Sequence, residues 1–316
     1  MHAAVVNDLE KPPRYQLFPE PTPQGDEVLV HVHAAGLHPI VKALASGSHY
    51  SSTGAVPMVA GIDGVGTRPD GARVYFGGAR KPWGTMAEFC AVPASMCLPL
   101  PDGISDTQAA AIANPGMSAW LSLKERAQLA PGETVLILGA TGVAGHLAIQ
   151  SARLLGAKRI IAAGRNVGAL AGENVDAVVA LGEGDEVVRA AFLAEAAQGI
   201  DVVIDYLWGR PTELLLEALA KGFNPRAARS TRLVEVGESA GKTITLAGAT
   251  LRSIDLKLLG SGFGSVSLDR VLGAIPTLFD MAAAGSLHVD VETVPLTDVE
   301  SAWSRSEKGR RVVFTV

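Results

Sequence analysis

Residues 135–149, with the sequence VLILGATGVAGHLAI, contain an apolar run, three glycines and the start of a second apolar pattern. The opening run of four apolar residues is typical of a strand that is buried on both faces of a parallel sheet. Gly139, Gly142 and Gly145 follow at intervals of three, and apolar residues then recur at helical spacing. The order of strand, glycine turn and helix is the one that a dinucleotide-binding turn requires.

Each glycine of this turn has a physical role in binding a dinucleotide. Gly139 lets the chain turn tightly off the strand, Gly142 lets a pyrophosphate approach the backbone, and Gly145 lets the new helix pack near the strand. The helix N-terminus then offers unpaired N–H groups and a positive dipole end to the phosphates. We therefore predict that the cofactor contacts Gly139, Ala140, Thr141, Gly142, Val143 and Gly145.

The strand predicted at 159–164 ends in Gly164, Arg165 and Asn166, which we also assign to the cofactor site. A carboxylate at this point would bind ribose hydroxyls and indicate NAD, whereas arginine accommodates a 2′-phosphate. A charge-assisted hydrogen bond of this kind contributes about 1.5–3 kcal/mol, which is roughly a tenfold to more than a hundredfold preference. We therefore predict NADPH as the cofactor. The alternative is that Arg165 is a solvated residue at the start of a helix.

The composition limits the classes of protein to which the chain can belong. Its 316 residues suggest two domains. Hydrophobic residues make up 48% of the chain and aromatic residues only 5%, a composition that fits an α/β enzyme with a large core. A net charge of −5 and the lack of basic clusters argue against nucleic-acid binding. No apolar run approaches the roughly 18 residues that span a membrane, and no signal peptide is evident. The two cysteines, Cys90 and Cys97, are too few for a disulfide scaffold, so we expect a soluble cytoplasmic protein.

The first hundred residues have the pattern of a β-rich domain. Residues 28–35 alternate between apolar and polar, and further short strand patterns are bounded by glycine or proline, which predicts a barrel or a sandwich. A capping box at 105–108 precedes an alanine-rich helix. We expect that helix to end at 114–116 and a second helix to cover 117–128.

From residue 134 onwards, strand and helix patterns alternate, which predicts a doubly wound parallel sheet. The predicted strands are 134–139, 159–164, 177–181, 200–205, 232–236, 244–247 and 256–261. The predicted helices are 145–155, 167–172, 184–197, 211–221 and 267–284. The segment 289–316 then adds two strands and a helix at 298–308, which we expect to return to the first domain. We place the domain boundaries at 1–116 with 264–316 for the substrate domain, and at 117–263 for the dinucleotide-binding domain.

Seven segments of the chain together resemble the medium-chain dehydrogenase/reductases, specifically their zinc-free quinone oxidoreductase-like branch. They are the glycine turn and the segments 25–30 (GDEVLV), 34–39 (AAGLHP), 61–66 (GIDGVG), 114–120 (NPGMSAW), 131–137 (PGETVLI) and 309–314 (GRRVVF). The resemblance implies a GroES-like β-barrel domain built from both chain ends and a Rossmann domain. It also implies a homodimer formed through the edge of the Rossmann sheet.

The residues at the family's zinc-ligand positions do not match a zinc site. His38 stands where zinc alcohol dehydrogenases of the family have a cysteine, and Ile62 stands where they have the histidine of a Gly-His-Glu motif. The downstream cysteine is also missing. Only His38 and Asp63 remain at these positions, although a catalytic zinc needs three protein ligands. We therefore predict that the chain binds no metal.

Without a metal, the natural reaction is hydride transfer from NADPH to an electrophilic acceptor. A quinone or an α,β-unsaturated carbonyl needs only orientation and a donor to the oxygen that gains charge. The predicted donors are Tyr50 and His38, with Asp63 as a residue that orients its neighbours. The alternatives are that His38 is a capping or core histidine and that Tyr50 is a packed loop residue. In this family the position of His38 is usually asparagine.

The carboxyl ends of the other parallel strands provide the remaining cofactor residues, because open sheets bind ligands at that edge. Tyr206 and Phe263 are predicted to flank the adenine or the nicotinamide, with core packing as the alternative. The remaining predicted cofactor residues are Asp205, Gly237 and Gly262 at strand ends and Asn114 from the 114–120 segment.

Two further functions remain open at this point. The first is a metal-dependent alcohol dehydrogenase that would use His38 and Asp63. The second is a non-catalytic NADPH-binding protein, like the crystallins of this family. The segment 221–230 is unlike the family's usual glycine-glycine turn, and the sequence predicts no role for it.

Overall fold

The structure is a computed structural model that describes residues 1–222, 230–262, 264–305 and 309–316. The chain divides into two compact units, of which the first comprises Met1–Pro115 with Leu272–Val316 and the second comprises Gly116–Val271. The first unit therefore contains both chain ends. Within the described residues, no helix is long and apolar enough to cross a membrane.

The first unit is rich in strands. These are β1 (His2–Val6), β2 (Arg14–Leu17), β3 (Glu27–Gly36), β4 (Met58–Val59), β5 (Asp63–Thr67), β6 (Arg73–Gly77), β7 (Phe89–Pro93), β8 (Cys97–Pro99), β15 (Asp290–Pro295) and β16 (Arg310–Thr315). Its helices are α1 (Pro39–Ala45) and α8 (Val299–Ala302), together with most of α2 (Asp106–Leu121) and α7 (Leu268–Ala283), which cross the unit boundaries.

Strand β3 joins the two ends of the chain in one mixed sheet. It pairs antiparallel with β5, β7 and the C-terminal strand β16, and β16 pairs parallel with β15. The register places Val313 opposite Gly36. The apolar side chains of both ends then share one core, in which Ala35, Leu37 and Phe314 are buried. The prediction that both chain ends build the β-rich part is confirmed.

The second unit alternates strands and helices as its sequence pattern predicts. Its strands are β9 (Thr134–Leu138), β10 (Arg159–Gly164), β11 (Ala177–Ala180), β12 (Val202–Asp205), β13 (Ser230–Glu235) and β14 (Asp255–Gly260). Its helices are α3 (Val143–Leu154), α4 (Asp185–Gln198), α5 (Gly209–Lys221) and α6 (Gly248–Ser253).

The strands of the second unit form a parallel sheet in the order β11-β10-β9-β12-β13-β14. This is the doubly wound order, and the direction of winding reverses between β9 and β12. The apolar run of β9 is fully buried, as a central strand with both faces covered requires. The glycine turn follows β9 and therefore lies at the switch point, where open parallel sheets bind their ligands.

Helix α2 does not end where its proline and glycine predict. The expected end at 114–116 is wrong, because the helix continues to Leu121 with Pro115 inside it, and a π-helical turn covers Ser122–Arg126. Ala113, Ala119 and Trp120 are buried. The burial of these side chains outweighs the hydrogen bond that Pro115 cannot donate.

Three other predicted elements need correction. Residues 244–247 form no strand, because the N–H of Thr245 donates to the carboxylate of Glu213 instead of a neighbouring strand. The predicted helix at 167–172 is a short 3₁₀ turn, Val167–Leu170. The predicted helix at 298–308 is α-helical only over Val299–Ala302, and residues 306–308 lie outside the described chain. Residues 223–229, most of the unusual 221–230 segment, also lie outside it.

Candidate functional site

The glycine turn of the second unit is shaped by a close approach of helix α3 to strand β9. Gly139 has a φ of +86°, and the N–H groups of Gly139 and Ala140 both donate to Ala163 O, at 2.9 and 3.0 Å. A Cβ atom on Gly145 would lie only 2.3 Å from Gly139 O. Glycine is therefore required at positions 139 and 145 by the fold itself.

Gly142 differs from the other two glycines. It is the residue before α3, with a φ of −90°, which any residue can adopt. A Cβ atom there would meet only Gly139 O, at the ordinary contact distance of 3.5 Å. The fold does not require glycine at this position. The missing side chain instead leaves the helix N-terminus open to a ligand, as the sequence predicts for a pyrophosphate.

The end of strand β10 packs directly on this turn. A Cβ atom on Gly164 would lie 2.5 Å from Thr141 Cγ2, which places Gly164 against the turn. Arg165 and Asn166 follow and are exposed. Within the described chain, the guanidinium of Arg165 forms no ion pair. The structure thus brings the predicted 2′-phosphate residue to the same edge of the sheet as the glycine turn.

Among the turn residues, Ala140 and Val143 have buried side chains. Their contribution to a bound dinucleotide would therefore come from the backbone. Asn114 lies in helix α2 of the first unit and is half-buried. Its assignment to the cofactor site stays a prediction.

Asp205 is engaged by its own chain. Its Oδ1 accepts hydrogen bonds from the N–H groups of Leu207 and Trp208, both at 2.9 Å, and its Oδ2 accepts one from Thr212 Oγ1 at 2.5 Å. Burial raises the pKa of this carboxyl group, although the three donors act in the opposite direction. Asp205 therefore shapes the turn into helix α5, and its role towards a cofactor stays a prediction.

Tyr206 connects the glycine turn with the end of strand β13. A Cβ atom on Gly139 would lie 3.2 Å from Tyr206 Cβ, and one on Gly237 would lie 3.3 Å from Tyr206 O. Burial raises the pKa of the Tyr206 hydroxyl above its usual range. Gly262 is exposed, and its N–H donates to Ser265 Oγ at 2.8 Å. Phe263 lies outside the described residues.

The first unit contains a buried polar cluster that includes two of the three predicted catalytic residues. His38 is fully buried and Asp63 is 5% exposed, and the distance between His38 Nε2 and Asp63 Oδ1 is 3.4 Å. The hydroxyl of Tyr75 donates to Asp63 Oδ2 at 2.8 Å. The hydroxyl of Thr85 donates to the backbone carbonyl of Asp63 at 2.7 Å. We refer to His38, Asp63, Tyr75 and Thr85 as the His38 cluster.

Tyr50 is not part of this cluster. Its side chain is 75% exposed, and its ring lies 4.1 Å from the ring of His49, measured between centroids. The alternative of a packed loop residue does not describe such a side chain. Its role as a proton donor stays a prediction.

Sequence reasoning missed Tyr75 and Thr85. In the antiparallel pair β5 and β6, Asp63 is opposite Gly77 and Val65 is opposite Tyr75. Asp63 and Tyr75 therefore share one face of the sheet, as diagonal neighbours. The alternation in 73–77 does separate Tyr75 from the apolar Val74 and Phe76. Only the pairing of the two strands, however, shows that Tyr75 reaches Asp63.

Sequence reasoning also missed a cavity of about 330 Å³ in the second unit, which Trp208, Glu235, Glu238, Lys242 and Leu258 help to line. Trp208 has a φ of +53°, which is unusual for a residue with a side chain. Burial, Asp205 and Glu238 raise the pKa of Glu235.

No group of three or more His, Cys, Asp or Glu side chains in the described parts of the chain could hold a metal ion.

Comparisons with known proteins are consistent with these features. No protein-family model matches the chain. A probable NADPH-dependent quinone reductase of Emericella nidulans is 28% identical over 361 residues, covering 99% of each chain. The quinone oxidoreductase of Rattus norvegicus is 35% identical over 158 residues, which is 47% of each chain. The structure of the quinone oxidoreductase from Thermus thermophilus, solved also with NADPH, matches with a TM-score of 0.80, 28% identity and full coverage of both chains.

Substitutions at two glycines of the turn test which of them the fold requires. We expect Gly145→Ala to lower the thermal midpoint of unfolding clearly, because its Cβ would overlap Gly139 O. Gly142→Ala adds the same methyl group where the contact is ordinary, so its midpoint should stay within about 2 °C of the unsubstituted chain. Differential scanning calorimetry measures both. Equal midpoints for the two variants would contradict the assignment of Gly145 to the fold.

Proposed function

Because the chain belongs to the medium-chain dehydrogenase/reductase superfamily, in its quinone oxidoreductase-like branch, we propose that it is a zinc-independent reductase that transfers hydride from NADPH to a quinone or an α,β-unsaturated carbonyl. The observation that carries the proposal is the glycine turn at the switch point of the parallel sheet. Oxidoreductase activity and NADPH agree with the names of the relatives. The enone alternative and the independence of zinc rest on the chemistry of the residues alone.

The residues of the second unit fit the dinucleotide. The turn brings the start of α3 and the end of β10 close together, since Cβ atoms on Gly145 and Gly164 would overlap Gly139 O and Thr141. Gly142 leaves the N-terminus of α3 open, and Arg165 offers a free guanidinium at the next strand end. We assign binding of the pyrophosphate to the turn and recognition of the 2′-phosphate to Arg165. When bound, NADPH supplies the hydride.

In this proposal the dinucleotide-binding domain comprises 117–263, and the substrate domain comprises 1–116 with 264–316, which contains the whole first unit. Its residues must orient the acceptor, exclude water and provide a proton to the oxygen that gains charge. His38 and Tyr50 are the candidate proton donors, and Asp63 orients His38. The complete burial of the His38 ring supports a site closed to bulk water.

We also propose that the protein acts as a cytoplasmic homodimer. Strand β14 supports this, because it is the last strand of the parallel sheet and most of its residues are exposed. An edge strand of this kind has backbone groups available for pairing with a second copy.

The test is oxidation of NADPH, followed by its absorbance, with a panel of quinones and a panel of enones, with and without a chelator. We expect turnover that the chelator leaves unchanged and that is faster with NADPH than with NADH. Loss of turnover with the chelator would instead favour a metal-dependent alcohol dehydrogenase. Tight binding of NADPH without turnover on either panel would favour a non-catalytic binding protein.

Arg165→Gln tests the choice of cofactor. The substitution removes the cation that pairs with the 2′-phosphate, so KM for NADPH should rise roughly tenfold to a hundredfold while KM for NADH changes little. Arg14→Gln is the matched control, because it removes the same charge from an exposed arginine of the first unit. An unchanged ratio of the two KM values would show that Arg165 is only a solvated surface residue.

Tyr50→Phe tests the exposed proton donor. If the Tyr50 hydroxyl donates to the acceptor, kcat should fall by about tenfold or more while KM for NADPH stays the same. Tyr15→Phe, the same change elsewhere in the first unit, is the control. An unaltered kcat would remove Tyr50 from the mechanism and leave His38 as the donor.

A further inference from the structure

The His38 cluster leaves an unusual set of buried polar atoms unmatched. Among the described residues, neither ring nitrogen of His38 has a hydrogen-bond partner within normal geometry, and neither does Asp63 Oδ1. Buried polar groups in folded proteins are nearly always paired, so each exception needs a physical explanation. Here two of the three atoms face each other, because Nε2 and Oδ1 are 3.4 Å apart.

The other contacts of Asp63 determine which of its atoms remains available. Oδ2 accepts the hydrogen bond of Tyr75, and the backbone carbonyl accepts that of Thr85. Burial and the neighbouring carboxylate raise the pKa of the Tyr75 hydroxyl well above the usual range, so the hydroxyl keeps its proton and donates it to Oδ2. Oδ1 is therefore the carboxylate oxygen without a partner, and His38 Nε2, at 3.4 Å, is the nitrogen placed to direct a proton towards it.

The surrounding chain makes room for the ring. A Cβ atom on Gly36 would lie 2.5 Å from His38 Nε2 and 2.7 Å from Ala110 O. Gly61 has a φ of +99°, and a Cβ atom there would lie 2.4 Å from Thr85 Oγ1. The positions of His38 and of the Thr85 hydroxyl thus depend on two missing side chains. The side chain of Arg311 is also buried in the first unit, and its Nη1 donates to the backbone carbonyl of Leu37 at 2.8 Å.

We infer that Asp63 and Tyr75 are positioning residues that hold the His38 ring with its Nε2 proton towards Asp63 Oδ1, so that Nδ1 is the nitrogen that gives a proton to the reduced acceptor. This inference rests on the proposed function and extends it, because it assigns the proton to one atom and adds Tyr75 to the site. Asp63 would act here as the aspartate does in a Ser-His-Asp triad, where the carboxylate fixes the tautomer of the histidine and stabilises its protonated form.

Hydride transfer and proton transfer together reduce the acceptor. The acceptor gains two electrons and one hydrogen as hydride at carbon, and its oxygen gains one proton. The Nδ1–H bond of the protonated ring breaks, and an O–H bond forms on the acceptor. The ring becomes neutral with its Nε2 proton still facing Asp63, and solvent restores the proton on Nδ1 after release of product. Because the ring is fully buried, the acceptor reaches Nδ1 only after a local opening.

The first measurement is the tautomer of His38, from ¹H–¹⁵N correlation spectra of the full chain with ¹⁵N-labelled histidine. The chain has seven histidines, and the signal that His38→Gln removes is that of His38. We expect the neutral ring to carry its proton on Nε2. In Asp63→Asn, one oxygen must serve both Tyr75 and His38, so a mixture of tautomers should appear. A proton on Nδ1 in the unsubstituted chain would overturn the inference.

The second measurement is turnover with the best acceptor. Asp63→Asn should lower kcat at least about tenfold, and Tyr75→Phe should lower it severalfold, with KM for NADPH unchanged. Tyr15→Phe is the matched control for the loss of a hydroxyl. Val92→Ala, in a separate core cluster of the same unit, controls for lost stability. If Asp63→Asn and Tyr75→Phe lower kcat no more than Val92→Ala does at an equal loss of thermal stability, the cluster is only structural.

The two proposals fail in different ways. If the unsubstituted chain oxidises no NADPH with any acceptor, the proposed function falls, and with it the catalytic role of Nδ1, whatever tautomer the spectra show. If turnover is present but His38→Gln, Asp63→Asn and Tyr75→Phe leave kcat within about twofold, the function stands and the inference about the His38 cluster is overturned.

Discussion

The start of helix α3 lies so close to the end of strand β9 that position 145 has no space for a side chain. A Cβ atom there would lie 2.3 Å from Gly139 O and 2.6 Å from Ala140 Cα. This contact fixes the first turn of the helix and the direction of its unpaired N–H groups. The neighbouring strands end against the same turn, since Gly164 of β10 contacts Thr141 and Tyr206 after β12 contacts Gly139. The shape of this edge of the sheet therefore depends on one backbone approach.

The first unit creates space for polar groups in the same way. Gly36 leaves room for the ring of His38, and Gly61 leaves room for the Thr85 hydroxyl. In both units a side chain is missing at the point where a polar group or a ligand must come near the backbone. Gly142 shows the difference between these uses of glycine, because a Cβ atom there would make only an ordinary contact. The fold itself therefore does not need a glycine at this position.

The parts of the fold that could be predicted are those determined by residues close in sequence. The buried run of β9 and the glycine spacing after it predict the parallel sheet and its switch point, since strand period, turn and helix start are local properties. The predictions at Pro115 and at 244–247 are wrong because the structure there depends on residues that are distant in sequence. Whether a proline is tolerated in α2, and whether Thr245 pairs with a strand or with Glu213, depends on packing between distant residues. The contact of Tyr75 with Asp63 could not be predicted from the sequence either, because it depends on the register between β5 and β6.

The two buried aspartates show why residue type and burial alone do not identify a functional carboxylate. Asp205 and Asp63 were both predicted to belong to a site, and both are buried. Three donors satisfy Asp205, two of them backbone N–H groups of the turn that it shapes, so its oxygens are already used by the fold. In Asp63 one oxygen accepts the hydrogen bond of Tyr75, and the other lies 3.4 Å from His38 Nε2 without a hydrogen-bond partner among the described residues. What a buried carboxylate can do for a ligand or a neighbouring base depends on the acceptor capacity that folding leaves unused. By this measure Asp63 Oδ1, which has no hydrogen-bond partner among the described residues, has more unused acceptor capacity than either oxygen of Asp205.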